Sequence, residues 1–104
     1  MKISVYQTIN DGNLGDTWKD SHKAAKALAA YTERLYTQEI KALVGKAQMN
    51  IDIRVNRNTS GATHLNVECA DHAVAARVEA LVEQLRHQAW ESWCDTDEAE
   101  RLSA

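Results

Sequence analysis

An α+β two-layer sandwich is the fold class this sequence predicts, and three features predict it. Two short runs between Met49 and Ala70 alternate apolar and polar residues with period two, as half-buried strands do. A third alternating run starts at Lys2. Two long segments, one between the first and second runs and one after the third, repeat apolar residues every three or four positions, as amphipathic helices do. The resulting order is strand, helix, strand, strand, helix, and a chain of 104 residues suits a single domain with a single core.

The first strand covers Lys2–Ile9, with Ile3, Val5 and Ile9 on one face and Lys2, Ser4 and Tyr6 on the other. Asn10-Asp11-Gly12-Asn13 is a turn. Leu14–Trp18 has two readings: a short edge strand returning along the first, or a loop with Trp18 against the core. Gly12 and Gly15 lack the following Gly-Lys-Ser/Thr of a phosphate-binding loop. The first helix starts at Asp20 or Ser21, either of which can accept from the free N–H groups of the first turn. It runs to Val44, where Gly45 ends it, a length of roughly 36 Å at about 1.5 Å per residue. Ala24, Leu28, Tyr31 and Leu35 form one apolar stripe. Tyr36, Ile40 and Leu43 form a second, rotated by about 100°. A wide face curving over a twisted sheet accounts for both stripes. The alternative is that the second stripe meets another copy, which makes Tyr36, Ile40 and Leu43 the candidate homodimer face.

Ile51, Ile53 and Val55 alternate with Asn50, Asp52, Arg54 and Asn56; Leu65, Val67 and Cys69 alternate with His64, Asn66 and Glu68. The turn-forming stretch Arg57–Thr63 joins them, so the two runs are expected to pair as an antiparallel hairpin. The first strand reaches this hairpin by a helical crossover, which permits a parallel pair. Asp71 caps the second helix, whose stripe is Val74, Val78, Leu81, Val82, Leu85, Ala89 and Trp93. Both helices are expected on one face of a three- or four-stranded sheet, with Leu28, Ile53, Val67 and Leu81 buried together. Residues 1–94 form the domain, and 95–104 are an acidic tail or an extension of the second helix.

Composition excludes several classes. An apolar fraction of 44% is ordinary for a globular chain and argues against disorder. No apolar run approaches the ~20 residues of a membrane-spanning helix. The net charge of −3 argues against a nucleic-acid binder, which needs clustered Lys and Arg. Met1-Lys2-Ile3-Ser4 enters a strand pattern directly, with no secretory signal ahead of it, and Cys69 and Cys94 lie far apart with no CxxC. Both point to a reducing cytoplasm, where the Asn58-Thr59-Ser60 glycosylation pattern has no meaning.

Motifs for chemistry are sparse, and no cofactor is expected. Cys69 and His72 have a metal-like local spacing, with His64 near the same strand, but a zinc site needs three or four converging ligands. Nothing in the spacing sets Cys69 or Cys94 beside a base such as His64, His72 or His87. His22, His72 and His87 read as helix-surface residues. Arg54, Arg57 and His64 make a small basic patch, yet the polar residues of the second and third strands include no aromatic for base stacking.

The C-terminal segment is the richest in candidate contacts. Trp90 lies at the edge of the buried stripe, and Glu91, Asp95, Asp97, Glu98 and Glu100 face only Arg101 as a base. If the second helix continues, Glu91, Asp95 and Glu98 share one face at i, i+4 and i+7. Acids at that helix end oppose the negative pole of the macrodipole, which a stability-driven sequence would avoid. Trp90, Glu91, Asp95, Asp97 and Glu98 are therefore the candidate partner-binding residues, with a solubilising acidic tail as the plainer alternative.

From Ile51 onward the chain resembles the DinI-like family of small SOS-response proteins that modulate the RecA filament. The resemblance rests on Ile51-Asp52-Ile53-Arg54-Val55, Leu65-Asn66-Val67, and the helix end Ala89-Trp90-Glu91-Ser92-Trp93 with acids beyond. It spans about half the chain and does not include Asn10–Trp18. It implies a non-enzymatic inhibitor whose acidic second helix engages a DNA-binding protein. The expectation from the sequence is thus a non-catalytic protein-binding module, a small bacterial or phage-type modulator of a larger machine; an anti-CRISPR protein also fits by size and acidity. The alternatives are a ligand-binding or enzymatic domain with its pocket between Trp18 and the sheet, and a nucleic-acid binder using Arg54 and Arg57.

Overall fold

A computed structural model describes all residues, 1–104. Strand β1 (Lys2–Asn10) leads through a 3-10 turn (Asp11–Leu14) to helix α1 (Ser21–Val44). Strands β2 (Gln48–Asn56) and β3 (Leu65–Cys69) follow, then helix α2 (His72–Cys94) and a short helix α3 (Asp97–Leu102). The α+β class and the three-stranded sheet match the expectation, and α1 and α2 both cover one face. Asp20 caps α1 by accepting from the N–H groups of His22 and Lys23 at 3.1 and 3.2 Å. Asp71 caps α2 in the same way, through Ala73 and Val74 at 3.0 and 3.2 Å. Each such cap is worth ~1 kcal/mol. Gly45 ends α1 with a φ of 72°, a conformation that side chains other than glycine's resist.

The sheet order is β2-β1-β3, which corrects the expected hairpin. Strands β2 and β3 do not pair. Instead β1 lies between them, parallel to β2 and antiparallel to β3, with Val5 beside both Ile51 and Val67. Alternation decides which face of a strand is buried, not which strand is its neighbour. The length of the connection between β2 and β3 is the physical reason the inserted order works. It must cross two strand spacings, roughly 9.6 Å, and eight residues from Arg57 to His64 do so where a tight hairpin turn could not.

Because β1 is central, the core centres on it. Ile3 and Val5 are fully buried with Tyr36 and Ile40 of α1 and Val78 and Val82 of α2. Ile53, Val67 and Leu81 are only half-buried and flank this cluster, while Leu28 belongs to a second cluster with Ile9, Ala24, Ala25 and Trp93. The expected four-residue centre is therefore corrected: three of its members are rim residues of outer elements. Tyr36 and Ile40 are at 0% exposure and Leu43 packs against the same cluster, which removes the proposed homodimer face. Both stripes of α1 are buried by its own sheet and by α2.

The opposite sheet face is open and polar. Tyr6, 38% exposed, sits at its middle, flanked in register by Asp52 and Asn66. An aromatic thus does lie on the polar face, supplied by the central strand rather than by β2 or β3. No helix is long and apolar enough to cross a membrane.

If Ile40 is core rather than interface, Ile40→Ala should cost ~2–5 kcal/mol of unfolding free energy. Ile40→Glu, which places an unpaired charge in the same site, should prevent stable folding. Urea titration of both variants measures this, and a loss below about 1 kcal/mol for the alanine variant would contradict the burial.

Candidate functional site

Strand β3 pairs only with Ile3–Gln7, so the edge of β1 beyond Gln7 is left without a full neighbour. A cleft of about 510 Å³ opens there, between the end of β1, the loop after β2, and the facing sides of α1 and α2. The loop is held in place by the turn that ends β1. Asn13 and Gly61 exchange two hydrogen bonds, at 2.7 and 2.8 Å, between the Asn13 carboxamide and the Gly61 peptide. The Gly12 N–H donates to the Thr59 carbonyl at 2.8 Å. A Cβ on Gly12 would stand 2.7 Å from that same oxygen, so glycine is required here by close approach. Asn10 donates to the carbonyls of Gly61 and Ala62 and accepts from the Asn56 amide.

Asp11 is the charged centre of this clamp. Its carboxylate is buried, accepts from the Thr59 N–H at 3.3 Å and lies 3.2 Å from His22 Nδ1. Burial alone would raise the carboxyl; the backbone N–H groups of Asn58 and Thr59, with His22, outweigh it and hold the group below its ordinary 3.8. His22 is thus a partner of the turn rather than a plain surface residue.

Polar side chains line the cleft at positions the apolar pattern assigns to the core. Gln7 takes an inward register position on β1 and accepts from the Tyr36 hydroxyl at 2.6 Å. Burial raises the Tyr36 hydroxyl pKa, with Arg86 opposing the shift, and keeps the hydroxyl a donor. Every buried side-chain nitrogen and oxygen has a hydrogen-bond partner, and the Gln7 amide nitrogen has none, so that nitrogen faces the cleft. Arg86 of α2 donates to the Thr63 hydroxyl at 2.8 Å and lies 3.5 Å from Glu83, tying the loop to the helix. His87 and Trp90 stand at the mouth. Of these, the sequence pattern singles out Trp90 as a contact residue and Tyr36 as a dimer-face residue, but not Gln7, Thr63, Glu83 or Arg86. The readable signals are Gln7 among Ile3, Val5 and Ile9, and Thr32 inside the stripe of α1.

The three tryptophans meet beside the cleft. Trp18 stacks on Trp93 with centroids 5.1 Å apart, and Trp90 lies 6.2 Å from each of them. Trp18 donates to the Leu14 carbonyl at 2.9 Å, Trp93 to Glu98 Oε1 at 3.1 Å. The loop reading of Trp18 therefore holds, but the cleft lies under Trp90, not between Trp18 and the sheet.

The acidic segment neither continues α2 nor trails away. The chain turns at Asp95 and Thr96, Thr96 caps α3, and Ala99 is buried. Ser103 bridges to Trp18, and the Ala104 N–H donates to the Thr17 carbonyl at 2.8 Å. Glu91, Asp95 and Glu98 consequently do not form one helical face. Asp97, Glu98 and Glu100 instead occupy the first turn of α3, where the helix dipole favours negative charge. Of the five candidate contact residues, Glu98 is engaged by Trp93. Glu91, Asp95 and Asp97 are exposed with their carboxylates in no hydrogen bond or ion pair within the chain, and Trp90 is 37% exposed.

No activated nucleophile faces the cleft. Thr32 donates to Leu28, Thr8 accepts from the His64 N–H and Thr63 accepts from Arg86. Partial burial, and then Asp95, push the Cys94 thiol up and away from the reactive thiolate. Cys69 packs under the helices. No three His, Cys, Asp or Glu side chains converge as metal ligands. Arg54 lies 3.3 Å from Asp52, and Thr8 separates it from His64 across the sheet, so the basic patch is not contiguous.

No protein-family model, no curated protein and no solved structure matches the chain.

The clamp has a pH signature. A carboxyl depressed on folding contributes stability above its unfolded pKa and loses it as pH falls through the folded value. Asp11→Asn should therefore be less stable than the parent at neutral pH, with the gap closing as pH falls below the ordinary 3.8. Urea unfolding at about pH 7 and about pH 3 measures it; a gap that stays constant would contradict the role given to the charge.

Proposed function

We propose that the chain is a non-catalytic protein-binding module, a modulator or inhibitor that docks on a larger protein through the ledge formed by Trp90. The observation that carries this reading is that Trp90 leaves 37% of its surface exposed although two other indoles hold it in place. A large ring immobilised before binding loses little side-chain freedom on contact, which is the property of an interface anchor. Glu91 follows it in sequence and Asp95 closes the same helix, both exposed with free carboxylates, so the fitting surface is an apolar pocket with Lys and Arg at its rim. Such complementarity acts mainly on association rate and makes it salt-sensitive. The engaged hydroxyls of the cleft and the raised Cys94 thiol favour binding over catalysis. The carboxylates around Tyr6 disfavour a phosphate backbone. The DinI-like resemblance of the C-terminal half points to the same class, a small protein acting on a nucleic-acid-handling partner in the cytoplasm.

A second reading, a small-ligand domain, draws support from the cleft itself, where the Gln7 amide and Arg86 supply donors in a space of about 510 Å³.

Affinity capture from the native host separates the two. The parent chain should retain one stoichiometric protein. Trp90→Ala, which removes a half-exposed ring and keeps the far-UV spectrum, should lose it. Glu91→Gln with Asp95→Asn should weaken capture at low salt and leave it unchanged at high salt. Equal capture by Trp90→Ala would overturn the ledge, and a copurifying metabolite without a protein would favour the second reading.

A further inference from the structure

Strand β2 is a free edge along its whole length. It pairs with β1 on one side only, over nine residues from Gln48 to Asn56, whereas the other edge, β3, is five residues long. Edge strands are normally blunted by proline, a bulge or a charge pointing inward. None of these protects β2: the chain has no proline, the register to β1 is unbroken, and the covered-face residues Met49, Ile51, Ile53 and Val55 are all apolar and half-exposed.

The residue pattern of this edge is complementary to itself. In an antiparallel pairing centred on Ile53, Ile53 meets the partner's Ile53 and Ile51 meets the partner's Val55. Asp52 then lies opposite the partner's Arg54, and Asn50 opposite the partner's Asn56. Opposed charges directly across a strand pair stabilise it, and like charges destabilise it. Shifting the centre to Asp52 or Arg54 sets a like charge against itself, and moving it to Ile51 or Val55 leaves both charges facing amides. Only the Ile53 register satisfies both.

Helix α1 repeats the complementarity one layer above. Lys26, Ala29, Ala30 and Glu33 border the groove beside Ile53 and Val55. Lys26 and Glu33 are exposed and make no ion pair within the chain. A two-fold axis through Ile53, perpendicular to the sheet, brings the two copies of α1 antiparallel. Ala29 and Ala30 then permit close approach, and Lys26 lies opposite the partner's Glu33.

We propose that β2 is the interface for a second copy of this chain, which closes a continuous six-stranded sheet in the order β3-β1-β2 and then the partner's β2-β1-β3. The surface is separate from the Trp90 ledge, and the two copies would present two ledges. Isologous pairing buries each β2 edge and leaves no further copy of it to pair.

Sedimentation equilibrium with charge-swap variants tests the pairing. Arg54 is 69% exposed in its side chain and makes its one side-chain hydrogen bond to Asp52, so Arg54→Asp should leave the monomer fold intact by circular dichroism. The parent should sediment at twice the monomer mass. Arg54→Asp, which sets Asp against the partner's Asp52, should sediment as a monomer. Asp52→Arg with Arg54→Asp, which restores opposite charges, should return to twice the mass. A parent that stays monomeric up to about 1 mM, where a Kd of ~100 µM would give mostly dimer, overturns the proposal. So does a dimeric Arg54→Asp, or a double variant that stays monomeric.

Discussion

Everything in this fold follows from one constraint: β1 must be hydrogen-bonded on both edges while its odd-numbered residues are covered by two helices. Ile3 and Val5 can reach zero or near-zero exposure only with a strand on each side and a roof above. That requirement puts β2 and β3 on opposite sides of β1. It obliges the connection between them to pass over the end of β1, and it gives the turn after β1 a second task, that of receiving the loop. Asn10, Asp11, Gly12 and Asn13 meet that task with hydrogen bonds to four loop residues, Asn58, Thr59, Gly61 and Ala62. The cleft is a by-product of the same geometry, because β3 stops pairing at Gln7.

The elements themselves were legible in the sequence: Asp20 and Asp71 announce both long helices, Gly45 ends the first, and period-two alternation marks all three strands. Neighbour order was not, because an antiparallel hairpin and an inserted central strand bury the same alternating residues. The one local clue was connection length, since the stretch between Asn56 and Leu65 exceeds what adjacent strands need. The acidic end misled for a different reason. Charge density at Asp95–Glu100 reads as a solvated tail, and the feature that folds it back is long-range: Trp93 donating to Glu98, Ala99 filling a gap, Ser103 bridging Trp18. Tyr36 and Ile40 looked surplus only because the contribution of α2 to the roof over β1 could not be seen along the chain.

The candidate site was half legible. Trp90 stood out from helical spacing alone, since it lies off the buried stripe. The cleft beside it did not, because its residues come from five separate segments. What could have been read is the pair of polar residues at core positions. Gln7 and Thr32 interrupt apolar stripes, and both are satisfied on one side: Gln7 accepts from Tyr36 and Thr32 donates to Leu28. A buried amide costs free energy unless its groups are paired; the Gln7 nitrogen avoids that cost by facing the cleft. Stability elsewhere, from the Trp93 stack and the packed β1 core, allows such a residue to remain.

The central position of β1 is most directly tested by backbone cross-strand contacts in a labelled sample measured by nuclear Overhauser effects. The account predicts contacts of Val5 with Val67 in antiparallel register and of Val5 with Ile51 in parallel register. Intramolecular backbone contacts between β2 and β3 without β1 between them would contradict it.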